Sequence, residues 1–167
     1  MTALPEVWLR GPLPDVPPLL QPVAHSLMQC RDEVRATLPR LSIASLWASP
    51  SGAATAGYHV QHAIGSLDRL LTYARGEPLS RAQLDALVDE SRPQSTQSSA
   101  QLVTACDAAI DRALTQIRGT DANTLLDLRT VGRAQLPSTV IGLLFHAAEH
   151  TQRHIGQLMT TAKVVSA

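Results

Sequence analysis

The run His146-Ala-Ala-Glu-His150-Thr-Gln-Arg-His154 constrains this chain more than any other segment. Four residues advance about 400° around an α-helix, so side chains at that interval stack on one face, one turn apart. Apolar residues flank the run on both sides, from Val140 to Phe145 and from Ile155 to Val165. Together they predict one long helix over residues 137–165, opening at Pro137, a residue favoured in the first helical position. Two imidazoles one turn apart can grip a single divalent ion. A third donor must then come from elsewhere. The other paired histidines, His59 and His62, fall in a second apolar segment of helical period, and His25 stands alone.

The rest of the pattern agrees with helix packed on helix. Apolar residues make up 44% of the chain but aromatics only 3%, so the core must be built from Leu, Val, Ile and Ala. Residues 1–18 carry five prolines and read as an extended lead-in. Val23, Leu27, Cys30, Val34 and Leu38 form a stripe on a first long helix over residues 19–38, with Pro22 in its first turn. Residues 42–47 suggest a short helix stopped by Ser49-Pro50. A second long helix is expected over residues 54–75, ended by Gly76-Glu-Pro78. Ser80 and Gln83 have the spacing of a capping box for a short helix to about residue 88. The polar stretch 91–99 reads as a loop. A third long helix covers residues 100–118, with Gly119 as its stop. Residues 120–136 are mixed, and 128–136 has extended character. The 167 residues are thus expected to form one all-α domain, a four-helix bundle with crossover connections and short additional helices.

Composition narrows the function. The formal net charge is zero, with no basic footprint of a nucleic-acid binder. The first residues lack the charged start and apolar run of a signal peptide, and the apolar stretches fall far short of a membrane span. Cys30 and Cys106 are far apart, form no CxxC motif and sit among apolar neighbours, as free structural thiols do. These features lead to the expectation of a cytoplasmic protein without a membrane partner.

Five of the six histidines fall in two clusters at same-face spacing. From spacing alone, two uses are open: a shared metal ion, or a polar seam on the bundle surface. At this point the residues resemble a family. The stretch Ala56-Gly-Tyr-His-Val-Gln-His62-Ala-Ile-Gly-Ser-Leu-Asp-Arg-Leu-Leu is similar to the second-helix motif of the DinB-like superfamily, which includes the YfiT-like proteins. Leu144-Phe-His-Ala-Ala-Glu-His150-Thr-Gln-Arg-His154-Ile-Gly-Gln157 resembles its C-terminal motif. The resemblance implies a bundle in which one histidine of the second long helix and two of the last converge on a divalent metal. By motif position these are His62, His150 and His154, with His59 as the rival to His62. His59, His146 and Gln157 then line the neighbouring layer.

Three neutral imidazoles leave a coordination position open, as in catalytic rather than structural zinc sites. Zinc is the plainest choice, and nickel or ferrous iron also suit imidazole. No Glu-x-x-His pair recurs on two helices, which argues against a carboxylate-bridged di-iron centre. Asp107 and Asp111 are candidate outer partners of the site, whereas Glu149 projects away from the histidine face. Family members include transferases and an isomerase that depend on low-molecular-weight thiols. The resemblance therefore implies a small-molecule substrate and, as one option, such a thiol, with Arg69 or Arg153 near enough to hold its carboxylates or else solvated. A metal-dependent hydrolase uses the open position equally well. The alternative class is a non-catalytic metal-binding or stress-response bundle. A homodimer paired through long helices is a further expectation.

Overall fold

The computed structural model describes residues 4–90 and 96–166. Four long helices dominate: α1 (Gln21–Thr37), α3 (Ala56–Ala74), α5 (Ser99–Arg118) and α6 (Val140–Val165). Two short helices, α2 (Ile43–Leu46) and α4 (Arg81–Asp89), lie in the connections, together with a hairpin of β1 (Leu128–Val131) and β2 (Leu136–Thr139). The expected all-α bundle is thus the observed architecture, and the hairpin is its one small sheet among the described residues.

Each long helix buries one stripe. On α1 these are Val23, Ala24, Leu27, Cys30 and Val34, the positions whose helical period is visible in the sequence. On α6, Val140, Leu144, Ala147, Thr151, Ile155, Leu158 and Ala162 follow at intervals of three or four. The most extensive helix pairing is α3 on α6, and α1 completes the core against α5 and α6. Cys30 and Cys106 are buried and free, and burial pushes both thiols above the ordinary range, Cys106 to about 12.

Caps fix the helix starts. Thr55 caps α3 by accepting from the Tyr58 N–H, and Ser80 and Ser98 each form a full capping box, with Gln83 and Gln101. The expected loop at 91–99 lies in part outside the described residues, and its last residues cap and open α5. The lead-in is more ordered than an extended tail. It forms 3₁₀ turns at Val7–Leu9 and Pro18–Leu20, and Val7 and Val16 are buried.

The start of α6 differs from the sequence expectation. Pro137 does not open the helix but sits in β2 opposite Thr130, and the helix begins three residues later, at Val140. The reason is the accounting of orphan N–H groups at a helix start. Val140 and Ile141 donate to the carbonyls of Asp127 and Leu125, and Gly142 donates to the Thr139 hydroxyl. The loop before the hairpin and the Thr139 cap therefore satisfy three donors together, which a start at Pro137 would not. Thr139→Ala is expected to lower unfolding free energy by about 1 kcal/mol in a urea titration with unchanged slope, while Pro137→Ala has the smaller effect. The reverse order would place the helix start at Pro137 after all.

Candidate metal centre

α3 and α6 run antiparallel and present their histidines to each other. Small buried residues surround those positions, Ala63 and Ser66 on α3 and Ala147, Ala148 and Thr151 on α6, and leave room for the rings. His62, His150 and His154 each offer a nitrogen, and the three nitrogens lie within 4.8 Å of one another. The His62 and His150 Nε2 atoms are 3.1 Å apart. Ring centroids are separated by 4.4 Å for His62 and His154 and by 4.7 Å for His150 and His154. Tyr58, one turn before His62, lies parallel to its ring.

The hydrogen bonds assign lone pairs. His62 Nδ1 lies 2.9 Å from Glu90 Oε2. A carboxylate only accepts, so Nδ1 carries a proton, and in the neutral ring Nε2 is bare. With protons alone, the contact between Nε2 atoms makes His150 the donor. Its Nδ1 is then a buried acceptor with no donor among the described residues. A cation held between the two Nε2 atoms would take the place of that shared proton, with both lone pairs directed at it. The spacing suits one as well. Two nitrogens on tetrahedral zinc, with bonds of about 2.0–2.1 Å, lie about 3.3 Å apart.

The surroundings favour the neutral form at His59, His150 and His154. Desolvation, and then the neighbouring His62, His150 and His59, lower His154 to about 4. His59 and His150 are lowered for the same leading reason, burial. Glu90 is opposed by burial but held below the usual carboxylate range by its bonds to His62 and Arg69.

His59 is buried and meets the cluster only at its edge, with Nδ1 3.3 Å from His154 Nδ1. The three-imidazole group is formed with His62 rather than with its rival. His146 is about half exposed; its ring lies 5.4 Å from that of His150, and its Nδ1 is bonded to Glu149. Gln157 is exposed, one turn beyond the cluster along α6. Asp107 and Asp111 also lie elsewhere. They pair with Arg35 and Arg31 between α5 and α1, since α5 packs on α1 and α3. Arg153 is an exposed partner of Glu149. Arg69, by contrast, is buried and bonded to Glu90, 2.5 Å from Oε1, so it is neither solvated nor free for a ligand's carboxylate. Glu90 is the residue that sequence reasoning missed. Its signals were Arg69, an arginine on the apolar stripe two turns from His62, and Gly65 in the middle of a helix.

A bundle whose central pair of helices carries three converging imidazoles defines a class of protein able to hold one metal ion. The family model of the DinB superfamily matches residues 5–158, and the chain belongs to that superfamily. A crystal structure of a DinB-like protein from Bacillus cereus has the same fold, with a TM-score of 0.66 at 12% identity, covering 86% of this chain and 91% of that one. A search among curated proteins finds no match.

The lowered imidazoles set a pH dependence. An unfolded histidine titrates near about 6.5. Between that value and about 4, the unfolded chain binds more protons than the folded one does at His154, with contributions of the same sign from His59 and His150. Stability is therefore full above about 6.5 and declines as pH falls through that window. Calorimetry of metal-free protein is expected to show a melting temperature that drops on acidification from pH 6.5 to 4, with a shallower drop in His154→Ala. A flat profile in the wild type would refute it.

Proposed function

We propose that this protein is a metal-dependent enzyme of the DinB type, in which His62, His150 and His154 ligate one divalent ion, zinc being the simplest choice. The observation that carries this reading is the convergence of three imidazoles from two helices, with the Nε2 atoms of His62 and His150 turned towards each other at 3.1 Å. Three ligands leave a position for a small molecule, and a divalent ion there supplies Lewis acidity to whatever group joins it. The chain's part is to hold the imidazoles oriented. His62 is oriented through Glu90, and His154 through His59. Beside the cluster, His146 donates from Nδ1 to Glu149 and leaves Nε2 as a proton acceptor near His150.

The reaction class is transfer to a low-molecular-weight thiol or hydrolysis of a small substrate. The two differ in which nucleophile is activated. Untagged protein with one equivalent of metal should deplete one member of a thiol panel in the presence of monochlorobimane, or hydrolyse ester and amide probes. Stoichiometric metal with no turnover on either panel would move the protein to the non-catalytic, metal-binding class.

Ligand assignment has its own test. His154→Ala is expected to lose most bound metal, whereas Cys30→Ala and Cys106→Ser retain it, with helicity unchanged in all three. Metal loss in either cysteine variant would contradict the assignment, since thiolates are the natural rivals for borderline metals. Chelation should lower the melting temperature without unfolding the chain at room temperature, because the apolar stripes form the core by themselves. The stabilisation by free metal a hundredfold above Kd is about 2.7 kcal/mol. Helicity that collapses on chelation at neutral pH would instead mark a metal that creates the fold.

A further inference from the structure

Two features of α3 run against ordinary helix and core preferences, and both meet at His62. Arg69 and Glu90 form an ion pair whose side chains are only 10% and 11% exposed. Desolvation opposes such a pair, and apolar residues of similar volume stabilise as well or better. Gly65 lies in the helix interior, where glycine is a poor helix former. Any Cβ at Gly65 would overlap the Glu90 carboxylate and press on the Arg69 guanidinium. Glu90 also ends α4, a helix none of whose residues is buried. Polar contacts tie that helix to α3: Gln83 donates to Asp68 and Thr72, and Glu90 bonds to Arg69 and His62.

We propose that Glu90, clamped by Arg69 and seated over Gly65, is the positioning residue for the metal ligand His62, and that it couples the docking of α4 to metal occupancy. The inference rests on the metal reading above. The carboxylate fixes the rotation of the His62 ring and its Nδ1–H tautomer, so the Nε2 lone pair faces His150. A ligand imidazole that donates its other N–H to a carboxylate is also the more basic donor. The coupling is reciprocal. Whatever engages Nε2 strengthens the bond from Nδ1–H to Glu90, so a filled site holds α4 more firmly, and a loosened α4 weakens the site.

The test uses the full, untagged chain and zinc. Affinity is measured by competition with a chromogenic chelator for wild type, Glu90→Ala, Glu90→Gln and Gly65→Ala, with Asp85→Ala on the exposed side of α4 as a control. The expected result is an affinity about 10–100-fold lower in Glu90→Ala, with a loss in Gly65→Ala, partial retention in Glu90→Gln and no change in Asp85→Ala. Two further readouts separate positioning from general loosening. Nitrogen-15 correlation spectra of metal-free protein should show His62 as the Nδ1–H tautomer in the wild type and a shift towards Nε2–H in Glu90→Ala. Backbone amides of α4 should exchange more slowly when zinc is added to the wild type, and not in Glu90→Ala. If Glu90→Ala loses helicity, the isosteric Glu90→Gln carries the comparison. Zinc held equally by wild type and the Glu90 variants, with the His62 tautomer unchanged, overturns this inference and leaves the metal reading intact. A wild-type chain that takes up no zinc overturns both.

Discussion

The antiparallel contact of α3 with α6 is the interaction on which the rest depends. It supplies the most extensive helix pairing and brings His62 against His150 and His154. Ala63, Ser66, Ala147, Ala148 and Thr151 are small, so buried space near the two axes is left for imidazoles rather than filled by leucines. Larger residues further along each helix, such as Leu67, Leu144, Ile155 and Leu158, close the core around that gap. A polar site is thereby embedded in a helical interface without giving up the apolar stripes that hold the bundle together.

Enclosure has an electrostatic consequence. Partial burial disfavours the charged imidazole at His59, His150 and His154, and His62 beside them discourages their protonation further. The cluster thus presents lone pairs where isolated surface histidines would begin to take up protons. Glu90 contributes the opposing charge but delivers it through His62 Nδ1, away from the nitrogen that faces His150. Arg69 balances that carboxylate from behind. The contacts run in series from Arg69 through Glu90 to His62 Nδ1.

Much of this was visible along the chain. The stripes of α1, α3, α5 and α6 have the helical period, the capping box at Ser80 has its fixed spacing, and the 3% aromatic content disfavours a sheet sandwich. The resemblance to the DinB family then led to His62 rather than His59. Spacing alone left that choice open, because the two lie only three residues apart on one helix. The start of α6 was misplaced because Pro137 suits a strand position without a donor as readily as a first helical turn, and distant carbonyls at Leu125 and Asp127 decided between them.

Periodicity and local chemistry fix which residues lie inside, where most helices begin and end, and that three histidines share one face of the last helix. Tertiary structure alone decided which residues reach across. Glu90 carries no local signal, since a glutamate after a short amphipathic helix is ordinarily solvated, and only the docking of α4 over Gly65 turns it towards His62. Asp107 and Asp111 looked comparable in the sequence, yet the packing of α5 on α1 gives them to Arg35 and Arg31 instead. The physical reason is the same in each case. Helical period fixes a side chain's direction about its own axis, but a partner for that side chain depends on which helix lies opposite and at what height, and that is settled by the packing of the whole core.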